Sequence, residues 1–194
     1  MPKQSRQDVL RQIVCIAALC LLIPYGLLVT GLVPATSFPR ERIELTIYPE
    51  VLEVNGLYVY ANPWPIPMSQ GLKTPFPVDA LHPRPASVAV SEVRPDGEIP
   101  LRTIWFNDEP HFTVNIPARS EIKVRVRYRQ LAKGSGTYIL KTTQPWGRPL
   151  EHGEYLVETR GVRVTHSNYP LTGKGFTKDH FMPQMDWHLQ WKRG

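Results

Sequence analysis

The sequence predicts a mostly β protein: one N-terminal transmembrane helix followed by an immunoglobulin-like antiparallel β-sandwich with long Pro-rich loops. Three observations predict it. Residues 13–33 form an apolar run of 21 residues without a charge, His, Asn or Gln. Beyond residue 42, short alternating segments recur, broken by Pro, Gly and Asn. The chain holds 20 prolines in 194 residues, and each interior Pro costs a helix about 3 kcal/mol, so long helices cannot dominate it.

Composition narrows the class further. A hydrophobic share of 42% with 21% charged residues is that of a folded chain, not a disordered one. The net charge is +6. Two cysteines, Cys15 and Cys20, exclude a disulfide-stapled scaffold. Both lie within the apolar run, and the remainder of the chain has none, which suits an oxidising compartment.

At about 1.5 Å rise per residue the run reaches about 31 Å, the thickness of a bilayer core. A buried helix of a globular domain would show a polar stripe, and this run has none. A cleaved signal peptide is the competing reading, with Val33-Pro34-Ala35 as its cleavage site, but its apolar region is usually shorter, about 7–15 residues. Lys3, Arg6 and Arg11 precede the run, so the positive-inside rule leaves residues 1–12 in the cytoplasm and sends the rest out. The expected layout is a cytoplasmic segment 1–12, a span 13–33, a linker 34–41 and an exported domain 42–194 in the periplasm of a bacterial inner-membrane protein. Within the span, Ala18, Leu22, Gly26 and Thr30 share one face at spacing four. Gly26 and Thr30 form a small-xxx-small pair that lets another helix approach.

In the exported part, strands are expected at 43–47, 51–60, 87–93, 101–106, 112–116, 121–130, 137–143, 154–159, 162–166 and 186–191. Turn signals stand between them at Asn55-Gly56, Pro95-Asp96-Gly97, Asn107-Asp108-Glu109-Pro110 and Gly134-Ser135-Gly136. The clearest strand is 121–130. Ile122, Val124, Val126 and Tyr128 point one way, and Lys123, Arg125, Arg127 and Arg129 the other. One sheet would leave its apolar face bare, and two packed face to face cover it. A small closed barrel is the alternative. The segment 62–85 holds seven prolines and reads as an extended Pro-rich arm. It also carries Trp64, Ile66, Met68 and Phe76, an apolar load that either packs over the sandwich or meets another protein. After residue 137 the chain reads as a strand and then a Pro-Trp-Gly-Arg-Pro corner at 145–149, with the indole of Trp146 tucked beneath it.

No constellation for catalysis stands out, and no enzyme is expected. Gly134-Ser135-Gly136 lacks the strand-to-helix context of a nucleophile elbow, and no phosphate loop or dinucleotide fingerprint is present. No cofactor is expected. His180, Met182, Met185 and His188 form the one soft-ligand group, which would suit copper in an exported protein. Its bland reading is packing methionines beside surface histidines. The basic face Lys123, Arg125, Arg127, Arg129 is read as the solvated side of an edge strand, or as a contact for an acidic partner or lipid headgroups.

These readings converge on a non-enzymatic, single-span accessory subunit that docks on and stabilises a larger bacterial membrane complex, such as a photosynthetic reaction-centre/antenna or respiratory assembly. Its expected contacts are Ala18, Leu22, Gly26 and Thr30 in the bilayer and Trp64, Ile66, Met68 and Phe76 outside. The partners are integral membrane subunits and the lipid bilayer, with neither nucleic acid nor a small-molecule substrate. A periplasmic copper-handling assembly factor and a secreted β-sandwich binding module are the alternatives.

Overall fold

The computed structural model describes Gln7, residues 11–16, Cys20 and residues 36–194. Two compact units result, Met1–Ala35 and Thr36–Gly194. In the first, the described residues are helical and exposed. Among the described residues no helix is long and apolar enough to cross a membrane. Most of 13–33 lies outside them, including Ala18, Leu22, Gly26 and Thr30.

The second unit is β throughout, with one short 3-10 helix. Its strands are β1 (Ser37–Ile47), β2 (Val51–Asn62), β3 (Met68–Lys73), β4 (Val88–Arg94), β5 (Gly97–Pro100), β6 (Thr103–Phe106), β7 (Glu109–Ile116), β8 (Ser120–Leu131), β9 (Ser135–Tyr138), β10 (Leu150–Thr159), β11 (Val162–Ser167), β12 (Gly175–Phe181) and β13 (Trp187–Arg193). A seven-stranded sheet runs β12-β10-β1-β2-β8-β4-β5, and two three-stranded sheets run β11-β13-β9 and β3-β7-β6.

The alternation in β8 sets the layering. Ile122, Val124, Val126 and Tyr128 are buried while Lys123, Arg127 and Arg129 are exposed. The same inward phase continues across β1 (Ile43, Leu45, Ile47), β2 (Leu52, Val54, Tyr58) and β10 (Tyr155, Val157). The two small sheets cover that face. Tyr58 in β2 shares a 2.6 Å hydrogen bond with Tyr138 in β9. Tyr155 in β10 meets Trp187 in β13 edge to face at 6.0 Å. Leu72 of β3 and Phe112, Val114 and Ile116 of β7 join the same core. The β-sandwich expectation therefore holds as a layered, mostly β fold of several sheets.

Four expectations need correction. The large sheet is not purely antiparallel, because β1 and β10 pair in parallel, Ile43 opposite Tyr155. A chain returning after a long excursion can enter beside its first strand in either sense, and alternation does not encode which. The linker is shorter than 34–41, since β1 begins at Ser37. Arg40 and Glu41 look like linker charges, but they lie in register between β2 and β10. The Pro-rich arm is interrupted by β3, which pairs with β7 along the proline-free stretch between Pro67 and Pro75. Finally, 137–143 is not one strand. β9 ends at Tyr138, and Lys141–Trp146 forms the 3-10 helix, closed by Gly147 at φ 66°. Its last residue, Trp146, packs on Phe38 (5.8 Å) and Tyr60 (5.6 Å), with the indole tucked beneath the corner.

Candidate docking surface

The arm packs over the sandwich and is clamped to it. Phe76 is buried and meets Tyr128 edge to face at 4.8 Å. Gln130, buried at the end of β8, donates through Nε2 to the carbonyls of Pro77 (2.7 Å) and Pro83 (3.1 Å). His82 is also buried. Its Nε2–H donates to the Ser135 carbonyl at 3.0 Å, and its Nδ1 faces the Asp79 carboxylate at 2.9 Å. Proline residues lack N–H groups but keep strong carbonyl acceptors, so a long polar side chain from the sheet can fasten them.

Large apolar side chains stay exposed on the arm and on the strand it reaches. Edge strand β6 exposes Ile104, Trp105 and Phe106, and Val78 and Leu81 of the arm are exposed as well. Trp105 touches Phe76 at 6.1 Å. The Arg84 guanidinium lies 4.9 Å over its ring and pairs with Asp108 at 2.6 Å. Phe106 meets His111 of β7 edge to face at 5.8 Å. The β6–β7 hairpin turns on Asn107 and Asp108 alone, both with positive φ (48° and 61°), the geometry of a tight two-residue turn that favours Asn and Asp. Glu109 and Pro110, expected in the turn, belong to β7.

Edge strands of soluble proteins are usually blunted with charge. Edge strands β3, β5, β11 and β12 follow that rule with Lys73, Glu98, Arg163 and Lys178, while edge strand β9 is uncharged too but half-buried, with Gly136 and Tyr138 turned inward. The four residues of β6 include no charge and two exposed aromatic rings. Sequence reasoning missed this surface, because the continuous apolar stretch Ile104-Trp105-Phe106 reads as a buried strand, and only the sheet order places it at an edge.

The sequence-derived contact residues scatter. Phe76 is in the core, Trp64 and Met68 are half-buried and Ile66 is 54% exposed. Trp64 and Ile66 sit in a turn at the far end of β2, apart from Phe76. The basic face is not at an edge, because β8 lies between β2 and β4. It is largely neutralised in place. Arg127 forks onto Glu98 with two 2.8 Å bonds, Arg125 reaches Glu98 at 3.2 Å, and Arg129 pairs with Glu53 at 2.9 Å. Arg127, with Ser91 and Arg125 beside it, holds the Glu98 carboxyl down at about 2. Lys123 alone of the four has no ion pair among the described residues. His180 lies in β12 of the large sheet, whereas His188 lies in β13 of a small one, its Nδ1 2.8 Å from Thr137 Oγ1. Met185 is exposed. Among the described residues no group of three or more His, Cys, Asp or Glu is placed to hold a metal ion.

The most perturbed titratable groups lie in the core. Glu41 is buried in β1, and burial pushes its carboxyl up to about 7, opposed by the Tyr155 hydroxyl that donates to its Oε1 at 2.6 Å. Burial also drives Tyr58, Tyr60, Tyr138 and Tyr155 upward, and each is raised further by the nearby Glu41 charge. Two glycines make this cluster possible. A Cβ at Gly153 or Gly56 would strike the ring of the tyrosine two residues on, Tyr155 or Tyr58. Each ring lies back along its own strand over a bare backbone. A separate open cleft of about 600 Å³ is lined by Leu156, Tyr169, Lys174, Phe176 and Lys178 among others.

No family model and no curated protein matches the chain. Its fold is similar to that of a candidate nutrient-binding protein of Legionella pneumophila, with a TM-score of 0.60 at 14% identity over 81% of this chain and 67% of that one. It also resembles part of an M1 zinc metallopeptidase of Deinococcus radiodurans, with a TM-score of 0.45 at 10% identity over 81% of this chain and 43% of the peptidase. The chain thus spans less than half of the peptidase. The first likeness shows a shared fold.

Proposed function

We propose that this chain is a membrane-tethered, non-enzymatic accessory subunit, held in a bacterial inner membrane by the apolar run 13–33, whose exported β-sandwich docks on an integral membrane partner through the β6 edge and the adjoining arm. The observation that carries the reading is edge strand β6, which carries no charge and leaves Ile104 and Phe106 open to solvent. Large apolar side chains exposed on an uncharged edge mark an interaction site, and an unpaired edge offers backbone donors and acceptors to an added strand. Exposed Ile13, Val14 and Ile16 on the described part of the N-terminal helix agree with the tether.

The test separates docking from folding. Ile104→Asp with Phe106→Asp changes exposed positions, so stability should move by no more than about 0.5 kcal/mol per site. Stoichiometric partners that copurify from native membranes in mild detergent should be lost. Phe76→Ala, in contrast, should cost about 3–5 kcal/mol because it opens a core cavity. Recovery of the unaltered chain as a lone monomer in several gentle detergents would refute the subunit reading.

The cleft beside β12 favours a second reading, an exported binding module. Its two lysines flank a ring stack of Tyr169 on Phe176, 5.0 Å apart and 10° from coplanar, which suits a small acidic ligand. Calorimetric titration with a panel of dicarboxylates and sugar phosphates checks it. Absence of heat that depends on Lys174 and Lys178 would remove it.

A further inference from the structure

We infer that the end of the sandwich where the chain enters, formed by residues 62–67, 117–119 and 147–148, rests in the headgroup layer of the bilayer. The inference rests on the tethered reading above and adds a lipid contact distinct from the β6 docking surface.

Chain length is the first argument. Only Pro34 and Ala35 separate the apolar run from Thr36, the first residue of the β unit. Three residue steps span at most about 11 Å, so whatever surrounds Thr36 cannot stand far from the bilayer that holds Val33. The register shows what surrounds it. Ser37 pairs with Ala61, Ala61 with Glu121 and Asn62 with Ser120. The Arg119 N–H donates to the Trp64 carbonyl at 2.9 Å, which joins the two turns. Trp146 packs on Phe38 and Tyr60, which brings Gly147 and Arg148 to the same end.

Chemistry is the second argument. Pro63, Pro65, Ile66 and Pro67 are exposed, and Ile66 is the most open large apolar side chain at this end. Entering an interface is costly for backbone groups that lose water without replacement. This turn has few such groups. Three of its residues are prolines without an N–H, the Trp64 N–H is bonded to Asn62 Oδ1 at 2.9 Å, and the Ile66 carbonyl accepts from Asn62 Nδ2 at 2.7 Å. Asn62 Nδ2 also reaches the Pro117 carbonyl at 3.0 Å. The turn is therefore apolar outside, with the Trp64 N–H and the Trp64 and Ile66 carbonyls bonded within the fold. Arg119 and Arg148 are exposed on the same end, and neither has an ion pair among the described residues. Cations placed so suit lipid phosphate. The opposite end of the sheet, where Val51 pairs with Leu131, is rimmed by Glu50, Lys133 and Arg160.

The experiment uses the full chain with Cys15→Ser and Cys20→Ser, reconstituted in vesicles of phosphatidylcholine and phosphatidylglycerol. A single environment-sensitive fluorophore is placed through Ile66→Cys or, as a control, Leu131→Cys; both sites are exposed. They lie at opposite ends of the long β2–β8 ladder. The label at 66 should shift to the blue and be quenched several-fold by lipids brominated near the headgroup, while the label at 131 stays water-like. A carbonate wash of the same vesicles reads the tether separately. Retention in the pellet with a water-like label at 66 would overturn the lipid contact and leave the tether standing. Release by carbonate would overturn both. A label that is open in vesicles but shielded in native membranes would assign the turn to a protein partner and defeat the inference.

Discussion

Glu41 shows how much one buried carboxyl can govern. Its ordinary value is 4.5, and in the folded chain it sits at about 7. Below pH 4.5 the group is neutral folded or unfolded and costs nothing. Between 4.5 and 7 the unfolded chain loses the proton and the folded chain keeps it, so stability falls as pH rises. At about 1.4 kcal/mol per unit, about 3 kcal/mol is lost across that window, and the loss is complete above pH 7. Glu41→Gln keeps an acceptor for the Tyr155 hydroxyl and removes the titration. Urea midpoints of the variant should be flat from pH 4.5 to 7 and exceed those of the parent chain above pH 7. A variant that keeps the parent slope would show that another group carries it. The sequence did hold a hint. Glu41 is in phase with Ile43, Leu45 and Ile47, so it occupies the inward phase of its strand. Flanked by Arg40 and Arg42, it reads instead as part of a surface charge cluster.

Contact between strands is decided by the smallest residues of the elements. Gly175 in β12 lies against β10 so closely that a Cβ would overlap the Tyr155 carbonyl, whereas Gly71 in β3 has open space around it. Gly175→Ala should therefore force β10 and β12 apart at a cost of about 1–3 kcal/mol, the scale of overpacking. Gly71→Ala should be neutral or slightly stabilising, because an interior strand glycine is entropically unfavourable. Chemical denaturation of the two variants side by side checks the contrast, and equal effects would contradict it. Asn62 does for a turn what Gly175 does for a ladder. Its amide serves the carbonyls of Ile66, Ile116 and Pro117, and its Oδ1 serves the Trp64 N–H. At about 1 kcal/mol for each bond that water cannot replace, Asn62→Ala should lower unfolding free energy by about 2–4 kcal/mol, read from the urea midpoint. The strand at 121–130 was legible because it alternates strictly, one face core and the other wet, and 51–60 because its first half alternates and its apolar end sits within one strand. Strands β3, β5 and β12 were not, since they lie at edges, β5 wholly exposed and the other two with mixed exposure, and owe their shape to their neighbours.

At the scale of the β unit, three sheets share one continuous core that runs from Phe76 through Tyr128 and Tyr58 to Trp187. No sheet buries its face without another. Residues 36–194 should therefore unfold in a single step, with far-ultraviolet circular dichroism and tryptophan fluorescence giving coincident transitions in detergent. Separated transitions would mean that one small sheet detaches on its own. The docking surface also belongs to this scale. β6 is apolar because of its composition, but it is an edge because, among the described residues, β7 pairs with one flank and no strand pairs with the other.

The sequence by itself determined the apolar N-terminal run, the β class, the positions of the alternating strands and the inward residues of β8, because side-chain period and backbone restriction are local properties that each segment carries with it. Tertiary structure decided the parallel seating of β10 beside β1, the burial of Glu41 and Phe76, the neutralisation of the Arg125–Arg127 face by Glu98, and the openness of Ile104 and Phe106. Each of those depends on which distant segment comes to lie alongside, and that follows from the summed burial of the whole core, which no local window contains.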